Sequence, residues 1–174
     1  MKYSELNIFK ENGQKITCLT AYDASMAKLI DTAGVDIVLI GDSLGMVIKG
    51  AENTRSVSMK DMIYHTEIVA KACKQALVIA DMPFHSYENS KTALANAKEL
   101  INNGANMVKI EGGSENIGVI KALVSDGINV CGHLGLQPQL VVDSSGYKVQ
   151  GRDKDSAQTI LDNAKLLDSL GVSI

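Results

Sequence analysis

Three acidic residues stand directly after apolar runs, where buried strands would end. They are Asp42, Asp81 and Glu111. The carboxyl ends of parallel strands meet at one edge, and acids gathered there repel one another unless a cation or protons compensate. An all-oxygen set suits a hard cation such as Mg²⁺, which keeps water or substrate in its remaining positions. The sequence therefore predicts a Mg²⁺ site, with helix capping or solvated loop positions as the alternative.

Lys109 is the second residue whose position suggests chemistry. It precedes Glu111 by two residues, so both side chains project from the same face of a strand. A lysine that faces a barrel interior needs a charged partner or an anionic ligand. Lys109 is therefore either one half of a structural pair with Glu111 or a fixed positive charge for a substrate carboxylate.

Further polar residues follow other apolar runs. His133 follows the next run, and both a structural role and membership of the site remain open for it. Ser43 adds a hydroxyl beside Asp42. Asp23 precedes a helical segment, so it is either a cap for that helix or a member of the site. We interpret His65 and His85 as structural or surface residues.

Short apolar, β-branched runs alternate with longer segments of helical periodicity. The runs lie at 16–21, 36–41, 77–80, 107–110, 129–132 and 172–174. The helical segments lie at 25–33, 58–74, 90–103, 115–126 and 155–170. Continuous apolar runs predict strands buried on both faces, and their alternation with helices predicts an α/β fold with a parallel sheet covered by helices.

Two architectures fit this order, a doubly wound open sheet and a (β/α)₈ TIM barrel. A doubly wound dinucleotide-binding sheet carries a glycine-rich turn after its first strand, and residues 20–24 contain no glycine. Polar residues at nearly every strand end favour the barrel. A complete barrel takes about 250 residues, whereas this chain has about five and a half βα units in 174 residues. We therefore expect an incomplete, C-terminally truncated barrel, or one that another chain completes.

Composition narrows the class of protein. The 174 residues are 45% hydrophobic and 21% charged with no composition break, which predicts one domain over 1–174. A net charge of −3 and 4% aromatic residues argue against nucleic-acid binding. The chain has no long apolar run and three widely separated cysteines, so we expect a cytoplasmic protein without a membrane span. The loop at 137–153 weakly suggests a lid or binding loop.

Six ordered motifs resemble one family, ketopantoate hydroxymethyltransferase, also called 3-methyl-2-oxobutanoate hydroxymethyltransferase. They lie at 20–23, 41–46, 80–84, 104–113, 130–135 and 146–152. The resemblance covers the chain from about residue 16 onward, and six motifs in the expected order are far more specific than any one of them.

The resemblance implies a (β/α)₈ barrel of the phosphoenolpyruvate/pyruvate superfamily and a homo-oligomer, a decamer in the family. It implies transfer of a one-carbon unit from 5,10-methylenetetrahydrofolate to the small 2-oxo acid 3-methyl-2-oxobutanoate, giving ketopantoate in pantothenate biosynthesis. By the same resemblance, Asp42, Asp81 and Glu111 hold Mg²⁺. Asp42, Ser43, Asp81 and Lys109 contact the 2-oxo acid, and the catalytic residues present are Lys109 and His133, the latter close to the reacting end of the substrate.

One departure from the family pattern bears on activity. The family's general base is a glutamate on the sixth or seventh strand, and no residue of this chain matches it. Turnover by these residues alone is therefore not expected. The alternatives are a catalytically inactive fragment, a natural short relative that serves as an oligomer subunit, a pseudogene product, or another Mg²⁺-dependent oxo-acid lyase or mutase of the same superfamily.

Overall fold

Five parallel strands form one sheet whose spatial order, β1 to β5, equals the order along the chain. The computed structural model describes residues 3–141 and 144–174. The strands are β1 Cys18–Thr20, β2 Ile37–Ile40, β3 Leu77–Asp81, β4 Met107–Glu111 and β5 Val130–His133. The helices are α1 Tyr3–Glu11, α2 Ala24–Thr32, α3 Leu44–Val47, α4 Met59–Ala72, α5 Ser90–Asn102, α6 Ile117–Ser125 and α7 Lys154–Ser169. Short 3₁₀ turns lie at Thr54–Ser56, Ser114–Asn116, Pro138–Leu140 and Ser144–Gly146.

The central strands are buried, as their continuous apolar runs predict. Every residue of β3 is buried, and β2 and β4 each have a single half-buried residue. The first strand differs, because all three of its residues are exposed and Leu19 is 52% exposed. The prediction of burial on both faces is therefore wrong for β1. The physical reason is its position: β1 is the end strand of this sheet and has a neighbouring strand on one side only.

Local sequence signals account for most helix boundaries. Helix α4 begins with a capping box, in which the Ser58 hydroxyl accepts the Asp61 N–H and the Asp61 carboxylate accepts the Ser58 N–H. Asp23 caps α2 by accepting the Met26 N–H at 2.9 Å. Gly34 follows α2 with φ +80°, a conformation that favours glycine and ends the helix before β2.

Some elements differ from the sequence prediction. The helices α1 and α3 were not expected from the periodicity, and both are short. Residues 172–174, predicted as a strand, do not form a regular strand. They nevertheless run beside β5, where Ser173 N–H donates to Val130 O and Gly132 N–H donates to Ile174 O, both at 2.8 Å. This segment continues the sheet past β5.

The βα order and the parallel sheet confirm the predicted α/β class, and the structure is a partial barrel of five strands. Each crossover between neighbouring strands contains at least one helix, as a barrel requires. None of the helices within residues 3–141 and 144–174 is long and apolar enough to span a membrane.

A buried carboxylate ties α2 to the start of β3. Asp31 is 4% exposed and accepts three backbone N–H groups, from Lys74, Gln75 and Ala76, at 2.8–2.9 Å. Burial by itself would raise the pKa of Asp31, but these three hydrogen bonds outweigh it and the pKa is lowered. The ionised form of Asp31 therefore stabilises the fold.

We predict that Asp31→Ala lowers the free energy of unfolding by about 3 kcal/mol, because three donors lose a charged acceptor. Urea unfolding measures this loss. The matched control is Asp126→Ala, which removes an exposed ion pair with Lys98 and should cost less than about 1 kcal/mol. Equal losses for the two variants would contradict the prediction.

Candidate functional site

Strand register brings the predicted site residues together at the carboxyl ends of β2 to β5. Asp81 at the end of β3 lies opposite Lys109 of β4. Glu111 at the end of β4 lies opposite His133 of β5. Asp42 follows β2 by one intervening glycine, and its N–H donates to Asp81 Oδ2 at 3.0 Å. All five residues therefore meet at one mouth of the sheet.

The three acids are buried there. Asp42 and Asp81 are each 3% exposed and Glu111 is 4% exposed. Because burial removes the water that would otherwise stabilise ionised carboxylates, their charges must be balanced by neighbouring groups. The helix-cap or loop alternative does not describe these positions, although it does describe Asp23, which caps α2.

Lys109 forms an ion pair with Asp81. Its Nζ lies 2.9 Å from Asp81 Oδ1, and its side chain is 14% exposed. The sequence left open a structural pair between Lys109 and Glu111. The partner of Lys109 is instead Asp81. Asp81 Oδ1 is buried and accepts no hydrogen bond of good geometry, so the lysine charge is its principal compensation.

His133 joins the site through Glu111. Its Nδ1 lies 3.2 Å from Glu111 Oε1, and its side chain is 32% exposed, so one side of the ring faces solvent at the mouth. Ser43 lies at the N-terminal end of α3, where its side chain makes no capping hydrogen bond. The structure thus places His133 against the acids and Ser43 next to Asp42 in the chain.

Gln139 bridges two of the acids, although the sequence did not single it out. It is 1% exposed and belongs to the 3₁₀ turn Pro138–Leu140. Its Nε2 donates to Asp42 Oδ2 at 2.8 Å and to Met82 O at 2.9 Å. Its backbone N–H donates to Glu111 Oε2 at 3.0 Å. One residue from the loop after β5 therefore supplies neutral donors to carboxylates at the ends of β2 and β4.

Two further side chains hold Gln139 in place. The Tyr87 hydroxyl donates to Gln139 Oε1, and Arg55 donates through Nη1 to Gln139 O at 3.3 Å. The Arg55 guanidinium also lies 3.9 Å above the centroid of the Phe84 ring, a cation–π contact. The polar groups of Gln139 are thus all hydrogen-bonded, as a fully buried amide requires.

Burial and neighbouring charges shift the pKa values of Asp42, Asp81 and Lys109. Burial raises the pKa of Asp42 to about 7, and the Asp81 carboxylate adds to the rise. Burial also raises the pKa of Asp81, against the opposing charge of Lys109. For Lys109, burial acts to lower the pKa, but the carboxylates around it, Asp81 first, outweigh burial and raise it. Lys109 is therefore a stable cation, while Asp42 and Asp81 resist ionisation.

The donor chemistry fits a hard cation, although a three-residue ligand set is not already assembled. In residues 3–141 and 144–174, no three acidic, histidine or cysteine side chains are arranged as a metal's ligands would be. Asp42 and Glu111 are instead linked through the hydrogen bonds of Gln139. Mg²⁺ is commonly held by one or two carboxylates, with water and substrate completing the octahedron. The underbonded Asp81 Oδ1 and the excess negative charge fit such a site.

A cavity of about 220 Å³ opens beside Glu111. Phe84, Tyr87 and Leu140 give it apolar walls, and Glu88 and Glu115 also line it. His85 lines it as well and has φ +64°, the left-handed region that non-glycine residues seldom adopt. The mouth therefore combines a charged cluster with an adjacent, largely apolar space.

The residues that sequence reasoning missed are Gln139, Tyr87 and Arg55. The one available signal was the long loop at 137–153, interpreted as a lid or binding loop. Within it, Val142 and Asp143 lie outside the described residues. Gln139 reaches Asp42 across 97 positions of sequence, a contact that no local pattern reveals.

Known proteins resemble the whole chain. The model of the family described as ketopantoate hydroxymethyltransferase matches residues 1–174. A 3-methyl-2-oxobutanoate hydroxymethyltransferase of Ruthia magnifica is 57% identical over 174 residues, which is 100% of this chain and 67% of the relative. One of Colwellia psychrerythraea is 53% identical over 165 residues, which is 95% of this chain and 62% of the relative. The chain thus spans about two thirds of the length of the curated relatives it matches.

Solved structures share the fold at low identity. The crystal structure of a phosphonopyruvate hydrolase complex with oxalate and Mg²⁺ has a TM-score of 0.73 at 15% identity, covering 99% of this chain and 61% of that one. A 2,3-dimethylmalate lyase, a member of the PEP mutase/isocitrate lyase superfamily, has a TM-score of 0.67 at 16% identity, covering 98% of this chain and 61% of that one. These structural similarities confirm the predicted barrel class, and at this sequence identity they show the fold alone.

The raised pKa of Asp42 predicts a pH-dependent stability. Between the ordinary value of 3.8 and about 7, the folded protein keeps a proton on Asp42 that the unfolded chain loses. The free energy of unfolding should therefore fall as pH rises through this window. Asp42→Asn keeps the shape and cannot ionise, so its stability should fall less between about pH 4 and about pH 7.

Urea unfolding in EDTA-containing buffer across that range measures the difference. Asp168→Asn, an exposed position on α7, is the control and should follow the unsubstituted protein. Parallel pH profiles for the unsubstituted protein and Asp42→Asn would refute the prediction.

Proposed function

The chain belongs to the ketopantoate hydroxymethyltransferase family, and from that premise we propose that its mouth residues form the metal- and 2-oxo-acid-binding part of a hydroxymethyltransferase. The reaction transfers a one-carbon unit from 5,10-methylenetetrahydrofolate to 3-methyl-2-oxobutanoate and gives ketopantoate, in pantothenate biosynthesis. The observation that carries the proposal is the burial of Asp42, Asp81 and Glu111 around one lysine.

The proposed roles follow from the charges at the mouth. Asp42, Asp81 and Glu111 would hold Mg²⁺, which when bound supplies Lewis-acid polarisation of the keto oxygen of the substrate. Lys109, kept cationic by its acidic neighbours, would bind the carboxylate of the 2-oxo acid. A lysine is needed because three acids and an anionic substrate carry more negative charge than a divalent cation balances.

His133 and Ser43 complete the proposed substrate contacts. His133 is held by Glu111 and remains partly exposed at the mouth, and from the family resemblance we propose that it stands near the reacting end of the substrate. Ser43 would donate a hydroxyl next to Asp42. The cavity of about 220 Å³ beside Glu111 would hold only part of the larger folate co-substrate. We also propose, from the family likeness, a cytoplasmic homo-oligomer.

Binding of the 2-oxo acid tests the proposal. Isothermal titration calorimetry with 3-methyl-2-oxobutanoate should show binding in Mg²⁺ and none in EDTA. Lys109→Met should weaken that binding about tenfold or more, because a charged hydrogen bond to the carboxylate is lost. Lys98→Met, which removes an exposed lysine on α5, is the matched control. Absence of any Mg²⁺-dependent binding in the unsubstituted protein would defeat the proposal.

Turnover is a separate measurement with a different expectation. We expect no ketopantoate formation from 3-methyl-2-oxobutanoate and 5,10-methylenetetrahydrofolate by these residues alone, because no residue of the chain matches the family's general-base glutamate. The assay is run with Mg²⁺ and repeated with EDTA. Mg²⁺-dependent product would show that a base lies within residues 1–174 and would contradict this expectation while supporting the proposed reaction.

A further inference from the structure

In each of the three acids at the mouth, one carboxylate oxygen accepts a hydrogen bond from an uncharged donor. Asp81 Oδ2 accepts the Asp42 N–H. Asp42 Oδ2 accepts the Gln139 amide, and Glu111 Oε2 accepts the Gln139 N–H. The neutral donors fix the orientation of the carboxylate planes without cancelling their charge.

Two of the three other oxygens face charged or titratable partners. Asp81 Oδ1 lies 2.9 Å from Lys109 Nζ, and Glu111 Oε1 lies 3.2 Å from His133 Nδ1. Within residues 3–141 and 144–174, no hydrogen bond to Asp42 Oδ1 is seen. Among the described residues, these second oxygens thus face Lys109, His133 or no hydrogen-bond partner, and Gln139 bonds two of the three acids through their other oxygens.

We propose that Gln139 is a positioning residue that orients Asp42 and Glu111 for the cation and the 2-oxo acid. This inference rests on the proposed function, because it assigns Gln139 a role toward that same site. Partners that hydrogen-bond to metal-ligating carboxylates fix their orientation and raise metal affinity. Gln139 can serve two acids at once because its side chain and its backbone N–H each reach one of them.

The surroundings of Gln139 make it rigid enough for this role. The residue is 1% exposed, and its own carbonyl groups accept hydrogen bonds from Arg55 and Tyr87. These two donors approach from segments before and after β3, so the turn is fixed from both sides. This hydrogen-bond network reaches the ends of three strands and therefore opposes rotation of the carboxylates.

The test compares Mn²⁺ binding by the unsubstituted protein, Gln139→Met and the matched control Gln158→Met. Mn²⁺ is a hard cation with oxygen ligands like Mg²⁺, and electron paramagnetic resonance measures the free ion. Methionine has a similar length and keeps the backbone donor to Glu111 but lacks the amide. Gln139→Met should weaken Mn²⁺ binding about 10- to 100-fold. Gln158→Met removes the amide of an exposed glutamine on α7, which donates to Asp162, and should change the affinity less than about threefold.

The outcomes separate this inference from the proposed function. A merely structural role would lower the stability of Gln139→Met and leave the Mn²⁺ affinity of the folded variant within threefold of the unsubstituted value, which would overturn the inference alone. Failure of the unsubstituted protein to bind Mn²⁺ would overturn the proposed metal site and this inference together.

A measurement without substitution covers the case in which Gln139→Met does not fold. Hydrogen exchange of the Gln139 backbone N–H is followed by NMR in the unsubstituted protein with EDTA and with Mg²⁺. A positioning residue keeps its bond to Glu111 when the cation binds, so exchange should be equally slow or slower with Mg²⁺. Faster exchange with Mg²⁺ would show that the turn is displaced, and would overturn the inference.

Discussion

The arrangement of the mouth depends on one constraint: Asp42, Asp81 and Glu111 are buried together with a single lysine. If all four groups are ionised, two negative charges stay unbalanced in surroundings that stabilise charge poorly. A folded protein meets such an excess with protons or with a cation. The raised pKa of Asp42 shows the first response, and a bound divalent ion would be the second. Lys109 and the neutral hydrogen-bond donors stabilise the buried acids whether protons or a cation balance the excess negative charge.

Two kinds of structure build this cluster. The strands set one part, because parallel register fixes Asp81 beside Lys109 and Glu111 beside His133. The loop after β5 sets the other part by folding back so that Gln139 reaches Asp42. Strand positions tolerate little movement once the sheet forms, whereas the loop is held by a few polar contacts. The orientation of Asp42 and Glu111 therefore depends on the loop as well as on the strands.

The same difference between strands and loop explains which features of the site the sequence predicts. Apolar runs and the acids that follow them predict the strands and the shared mouth, because a parallel sheet places all strand ends together. The partner of Lys109 is less accessible to such reasoning. Glu111 is two residues away, which is about 6.6 Å along a strand, whereas a residue on the adjacent strand is only about 4.8 Å away. Asp81 is that cross-strand neighbour, and pairing follows the shorter distance. Gln139 was missed because its contacts depend on the closed loop.

The two oxygens of a carboxylate in this site have different surroundings, and this difference affects ligand binding. An oxygen bonded to a backbone N–H or an amide keeps its charge and its place, since neutral donors stabilise the ionised form without neutralising it. An oxygen paired with Lys109 or His133 has a partner that can also interact with an anionic ligand. The proposed 2-oxo acid and cation would exchange the contacts with Lys109 and His133 for new ones and leave the neutral bonds intact. The carboxylates would then need little reorganisation, which is how preorganised polar sites gain their strength.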